Sequence, residues 1–372
     1  MGASGVDDES TVTVTLNGRP VAWPAGQSLL AHLAARAIEP RQVVVALNRQ
    51  ILPRESWSEV CPAEGDRIEV VYVVAGGAGE GAGREGASAT RDGAGAVAGS
   101  VAEAAGTPAD GAPAEDDPLV IAGVRFYSRL ICGTGKFADA ATMKAAHVAS
   151  GAELVTVAVR YFDMDLGGTS LLAELDPRRY RLLPNTAGAY SAEDALHLAE
   201  LARAATGTNW IKLEVIGDRE SLWPDVAATI QACGELVRRG FVVLPYTSPD
   251  PVAAVHLERA GAATVMPLGS PIGSGQGVLD VAAVRRIVSR VHVPVVVDAG
   301  LGAPSDAALA MEAGASAVLI NTAIARAKDP VGMAGAMRLA VAAGRLGYRS
   351  GRMPRSEAAS PSSPTVGVPG VE

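Results

Sequence analysis

Three cysteines in 372 residues, Cys61, Cys132 and Cys233, are too few and too widely spaced for a disulfide framework, and no C-x-x-C pair occurs. They read as small apolar core residues in a reducing compartment. The five histidines show no metal-ligand spacing and no H-E-x-x-H, so no metal is expected. Aromatic residues are scarce at 4%, which leaves the 48% apolar share to build a core from mostly aliphatic side chains. Basic residues are not in excess: 32 Lys and Arg against 40 Asp and Glu give a net charge of −8, which argues against a nucleic-acid partner. No apolar run reaches the roughly 18 residues of a membrane helix. Met1 to Ser10 is acidic and small rather than basic then apolar, unlike a signal peptide. A soluble, cytoplasmic protein is the expectation.

What is present in excess is glycine, 42 residues against a usual share of roughly 7%. The length suits two domains. Thr11 to Leu16 alternates in the strand period, Asn17-Gly18 supplies a two-residue hairpin turn, and Val21 to Trp23 is the return strand. Leu29, Leu30, Leu33 and Ile38 then follow helical spacing behind Ser28 as N-cap. Two more strands, Val43 to Leu47 and Ile68 to Val74, complete a β-β-α-β-β order and a small α+β domain over 10–77. Residues 78–117 are dominated by Ala and Gly with no apolar period, and they read as a flexible tether.

From residue 118 to 352 short apolar runs alternate with alanine-rich helical stretches such as Ala192–Ala204 and Asp225–Arg239. The predicted strands are Leu130–Gly133, Leu154–Val159, Arg181–Pro184, Trp210–Ile216, Phe241–Pro245, Thr264–Leu268, Val295–Asp298 and Ala317–Asn321. Eight βα alternations in this length predict a (βα)8 barrel. The alternative is a doubly wound open sheet, but Gly133-Thr134-Gly135-Lys136-Phe137 lacks the third glycine of its dinucleotide fingerprint. No nicotinamide or other cofactor is expected. The tail, 353–372, is rich in Ser and Pro and reads as loose.

Within Trp210–Ile216, Lys212 and Glu214 lie two apart and share a strand face. Inside a barrel, burial would lower the lysine pKa and yield the free amine that attacks a carbonyl to form a Schiff base. On the outer face the same two residues would be a structural ion pair. Ser270-Pro271-Ile272-Gly273-Ser274-Gly275-Gln276-Gly277, Asp298-Ala299-Gly300-Leu301-Gly302 and Asn321-Thr322-Ala323 end strands six, seven and eight. Glycines there admit an anion close to backbone N–H groups, in the loops where such barrels bind phosphate. Three such loops beside a strand-four lysine favour a phosphorylated carbonyl substrate over simple tight turns. Asp298 stands where barrel enzymes place catalytic groups; helix capping, its other possible role, suits Ser305 and Asp306 better.

Residues 118–352 resemble the bacterial thiazole synthases of thiamine biosynthesis. The resemblance rests on Leu183–Gly188, Ile211–Gly217, Leu244-Pro245-Tyr246-Thr247, Ser270–Gly277, Val297–Gly302 and Asn321-Thr322-Ala323. It implies a sulfur-incorporating transferase in which Lys212 forms an imine with 1-deoxy-D-xylulose 5-phosphate. It further implies that Gly273, Ala299, Gly300, Asn321 and Thr322 contact that substrate, with Glu214 and Asp298 as acid–base groups. Dehydroglycine would supply the remaining ring atoms. Residues 10–77 resemble the β-grasp (ubiquitin-like) sulfur carrier of the same pathway, through Val43–Asn48, Glu64–Glu69 and the closing Gly76-Gly77. That implies a carrier thiocarboxylate and an adenylating enzyme as partners; barrels of this kind also assemble as homo-oligomers. Family carriers end in a free glycine carboxylate, whereas Gly77 here continues into Ala78. Either the tether is cut after Gly77 or a separate carrier delivers sulfur. A Schiff-base aldolase on a sugar phosphate and a non-catalytic docking scaffold are the rival readings.

Overall fold

The computed structural model describes residues 10–75, 117–161, 164 and 174–363. Gly76, Gly77 and nearly all of the Ala/Gly-rich tether lie outside the described residues. The N-terminal unit forms as its alternation dictates. Strands β1 (Thr11–Leu16) and β2 (Arg19–Pro24) pair antiparallel, with Leu16 opposite Arg19. The turn needs two left-handed residues, and Asn17 and Gly18 take φ of 50° and 82°. Helix α1 (Leu29–Ala34) starts where the Ser28 hydroxyl accepts the Ala31 N–H. Strands β3 (Val44–Leu47), β4 (Gln50–Ile51) and β5 (Arg67–Ala75) complete a sheet in the order β2-β1-β5-β3-β4. Val14, Trp23, Leu29, Leu33, Val45, Trp57 and Ile68 are its core.

A short hairpin not anticipated from the sequence, β6 (Leu119–Ile121) with β7 (Val124–Phe126), precedes the barrel. The eight barrel strands follow: β8 (Leu130–Gly133), β9 (Leu154–Tyr161), β10 (Arg181–Asn185), β11 (Trp210–Leu213), β12 (Val242–Thr247), β13 (Met266–Pro267), β14 (Val296–Asp298) and β15 (Ala317–Ile320). Parallel ladders join β8 to β13 in sequence, β14 to β15, and β15 back to β8. Between β13 and β14 only two single parallel bridges, Val265–Val295 and Leu268–Asp298, span the gap. Strand six is therefore shorter than its apolar run suggested, and Pro267 has no N–H to donate to a longer ladder. Ile131, Leu154, Leu183, Trp210, Leu244, Met266, Val296 and Leu319 fill the barrel interior, and Leu119, Ile121 and Phe126 of the hairpin pack into the same cluster. Helices α2 (Ala140–Ser150), α3 (Ala192–Thr206), α4 (Val226–Arg238), α5 (Pro251–Arg259), α6 (Val281–Val288), α7 (Pro304–Glu312), α8 (Thr322–Ala325) and α9 (Pro330–Ser350) alternate with the strands. Cys132 and Cys233 are buried core residues, and burial pushes both thiols up to about 12. Cys61 departs from the expectation: it is exposed on the small domain.

Strand β5 is long enough to serve both units. Its first half pairs with β1 and β3; from Val71 to Ala75 it runs antiparallel along the upper half of β9. That edge of β9 is free because β8 stops at Gly133, opposite Thr156. Val44, Ala46 and Val71 of the small domain join the apolar cluster of Val159, Ala189, Ala195 and Ala199. Polar contacts close the seam. The buried Glu69 carboxylate accepts hydrogen bonds from Tyr161 Oη at 2.9 Å and pairs with His197 Nε2 at 2.6 Å. Arg49 pairs with Glu193 and, at 2.7 Å, with Asp194.

Candidate active site

Strand β11 carries Lys212 into the barrel, level with Asn185 on β10 and Leu244 on β12. The ladder ends at Leu213, three residues before the expected strand does, because the Thr186 hydroxyl takes over the backbone of the next residue. It accepts the Glu214 N–H at 2.8 Å and donates to the Glu214 carbonyl at 2.7 Å. This pins Glu214 beside Lys212. From the far side β14 delivers Asp298 at its last position. Lys212 Nζ lies 3.1 Å from Glu214 Oε1 and 2.7 Å from Asp298 Oδ2, with all three side chains buried. The ring of Tyr246 stands 5.7 Å from the ammonium, a cation–π distance. Burial and the two carboxylates hold its phenol neutral by raising its pKa.

One expectation is overturned here. Burial by itself would lower the Lys212 pKa, but Asp298 and Glu214 outweigh it, and the ammonium is held well above its ordinary value. The lysine therefore rests as a cation in an ion triad, and a free amine requires proton transfer to a neighbouring carboxylate. Asp298 is suited to receive it. Burial raises its carboxyl above the usual range, and the nearby Glu214 charge adds to that, while Lys212 opposes. One cation between two buried carboxylates leaves a net negative charge, so an extra proton relieves the site.

Above the triad opens a cavity of about 400 Å³. Lys212, Glu214, Asp298, Gly273, Ala299, Gly300, Asn321 and Thr322 all line it, so the residues singled out from the sequence converge on one site. Ala299 adopts φ of 69°, a strained left-handed conformation for a residue with a Cβ, and Gly300 follows at 76°. A Cβ on Gly300 would fall 1.9 Å from Ser270 Oγ, so this glycine is required by close approach of the two loops. Asp306, in the first turn of α7, accepts the Gly302 and Ala303 N–H groups at 2.9 Å and leaves Asp298 to the site. Thr156, Asn185 and Arg326 also line the cavity and were not singled out. A buried Asn closing the apolar strand β10, and an Arg four residues past Thr322, were the available signals. Among the described residues no group of three or more His, Cys, Asp and Glu could hold a metal ion, and no helix is long and apolar enough to cross a membrane.

A second cavity, about 360 Å³, runs along the seam between the two units. Arg49, Arg67 and Glu69 line it from the small domain and Arg160, Tyr161 and His197 from the barrel. It meets the first cavity at Ala187, Glu214 and Ile272, which line both.

Fold and site together define a (βα)8-barrel enzyme with a β-grasp domain docked at the mouth of the candidate active site. Comparison with known proteins makes this specific. The family described as thiazole biosynthesis protein ThiG matches residues 120–364, and the ThiS family matches 10–77. A thiazole synthase of Paramagnetospirillum magneticum is 41% identical over 356 residues, spanning 95% of this chain and 99% of that protein. One from Methylobacterium is 55% identical over 259 residues, 70% of this chain and 97% of its own length. Among solved structures, the Amycolatopsis orientalis BexX/CysO complex aligns with a TM-score of 0.59 at 36% identity, covering 65% of this chain and 100% of the matched one. The chain belongs to the thiazole synthase family and is an enzyme of thiamine biosynthesis that carries its own ThiS-family sulfur-carrier domain.

Proposed function

We propose that Lys212 forms a Schiff base with the ketone of 1-deoxy-D-xylulose 5-phosphate, and that the thiazole phosphate carboxylate is assembled on this imine. The observation that carries the reading is the buried Lys212–Glu214–Asp298 triad below a cavity walled by two glycine-bearing loops and the Asn321-Thr322 segment. Transfer of the ammonium proton to Asp298 frees the amine for attack. The iminium then acidifies adjacent C–H bonds, and Glu214 and Asp298 shuttle protons during rearrangement. The loops carrying Gly273, Ala299-Gly300 and Asn321-Thr322 hold the phosphate. Sulfur comes from a carrier thiocarboxylate made by an adenylating enzyme, dehydroglycine supplies the remaining ring atoms, and cyclisation releases water. No metal or nicotinamide is part of this reading, which is placed in the cytoplasm and in a homo-oligomer.

The carrier domain of the same chain is the donor in this proposal. Val74, Ala158, Asn185 and Lys212 share one register row across four strands, three strand spacings or roughly 14 Å at most. Three residues beyond Val74 span up to roughly 10 Å, which with the lysine side chain is enough to bring Gly77 to the imine.

Borohydride reduction in the presence of the sugar phosphate tests the reading. The reduced adduct is expected on the peptide carrying Lys212 and absent in Lys212→Ala. Because that variant leaves two buried carboxylates without a counter-charge, Lys212→Arg is the better-folded control, since it keeps the charge without a nucleophilic amine. An adduct on Lys136 or Lys144 would overturn the assignment.

A further inference from the structure

Arg160 is the seventh residue of β9 and the one cation on that strand. Alternation puts Thr156, Ala158 and Arg160 on one face and Val157 and Val159 on the other. Thr156 lines the catalytic cavity, whereas Val159 packs in the apolar cluster with the carrier domain. Arg160 therefore stands on the inner face of the barrel mouth, above the triad. It lines the second cavity together with Glu214, one of the three residues at which that cavity meets the catalytic one.

Among the described residues the guanidinium has few partners for its surroundings. Among the described residues its hydrogen bonding is a single contact, Nη1 to the neighbouring Val159 carbonyl at 2.8 Å, and no carboxylate lies within ion-pair range. Burial pulls its pKa below the ordinary value, and the more distant Glu214 only partly offsets this. A guanidinium has five N–H donors in a planar fork. Holding one half-buried with a single contact is costly unless an anion arrives to complete it. Phosphate is accounted for at the other wall, where Arg326 joins the glycine loops. The planar fork instead matches a carboxylate in a two-pronged pair.

We infer that Arg160 binds the carboxylate-type anion of the second reactant and holds it beside Glu214, facing the Lys212 imine. The inference rests on the reading above, in which both remaining reactants carry such a group: the carboxylate of the α-imino acid and the terminal thiocarboxylate of the carrier. Anchoring the anion would fix the direction from which the sulfur or the imine nitrogen approaches the sugar-derived carbon, with no change in the number of bonds made.

The test uses the full chain with Arg160→Met and Arg160→Lys. Borohydride trapping of the sugar phosphate on Lys212 is measured first and is expected to match the unaltered chain. Product formation is then followed with dehydroglycine generated from glyoxylate and ammonium, and with carrier thiocarboxylate supplied in trans at concentrations that displace the docked domain, each varied in turn. Arg160→Met should raise the KM for one of the two by tenfold or more, with partial recovery in Arg160→Lys. A shift for dehydroglycine assigns the imino acid carboxylate; a shift for the carrier assigns the thiocarboxylate. Unchanged KM for both, with normal trapping, overturns the role of Arg160. Failure of the unaltered chain to trap substrate on Lys212 instead overturns the reading on which it rests.

Discussion

Lys212 holds its proton more tightly than an isolated lysine because two carboxylates face it at hydrogen-bond distance. Nucleophilicity then depends on how readily that proton moves to Asp298, whose own affinity for it burial has raised. Replacing either carboxylate by its amide removes one partner of the ammonium and lowers the cost of making the free amine. Glu214→Gln and Asp298→Asn should therefore still trap the sugar phosphate as an imine. Turnover should fall by roughly 10²–10⁴, the usual loss on removing one acid–base group. Borohydride trapping alongside steady-state rates measures both, and near-normal turnover in both variants would remove these residues from the proton-transfer steps.

At the scale of elements, β5 is shared between two sheets, and its attachment to β9 depends on one buried acid. Burial would raise the Glu69 pKa, but His197 and Tyr161 outweigh it and hold the carboxylate below its ordinary value of 4.5. A group depressed in the docked state strengthens docking fully above its undocked pKa. That contribution is lost as pH falls from about 4.5 through the lower docked value. Glu69→Gln should loosen the seam even at neutral pH, since the amide cannot match the charge-assisted contact at 2.6 Å. Hydrogen exchange checks this. The β9 amides beyond Thr156 that face β5 should lose protection in the variant while the β10–β11 ladder keeps its own. Equal protection in both proteins would show that the seam holds without the Glu69 contacts.

For the whole molecule, the consequence is that a carrier domain already sits on the free edge of β9, so a separate carrier would have to displace it. The proposed adenylation and thiolation nevertheless need a carboxylate at Gly77, which the chain ties up as an amide to Ala78. Cleavage after Gly77 resolves the conflict, because five backbone pairs and the Glu69 and Arg49 contacts can keep the freed carrier in place. Intact-mass measurement on protein from cells making thiamine should find a fragment ending at Gly77 and a barrel starting at Ala78. Gly77→Pro should block both the cut and the thiocarboxylate while leaving imine formation on Lys212 intact. Recovery of only the uncut chain, with a separate carrier bearing the thiocarboxylate, would sink the cleavage model.

The strand–helix alternation, the Asn17-Gly18 hairpin, the Ser28 cap and the identities of Lys212, Glu214 and Asp298 were legible in the amino-acid order, because period, turn chemistry and local capping act over a few residues. The glycine loops were legible for the same reason. Three things were not. The Lys212 pKa depends on Asp298, 86 positions away in sequence yet 2.7 Å away in space, and that contact reverses the sign that burial alone would give. The extension of β5 onto β9 depends on β8 stopping early, which leaves an unpaired edge that no local pattern records. Arg160 closes an apolar strand as a surface charge would, and only barrel closure and the docked carrier turn it toward Glu214. Local sequence determined the elements and the chemistry they carry; tertiary structure decided the charge balance, because electrostatic interaction depends on distance in space and solvent exclusion, not on separation along the chain.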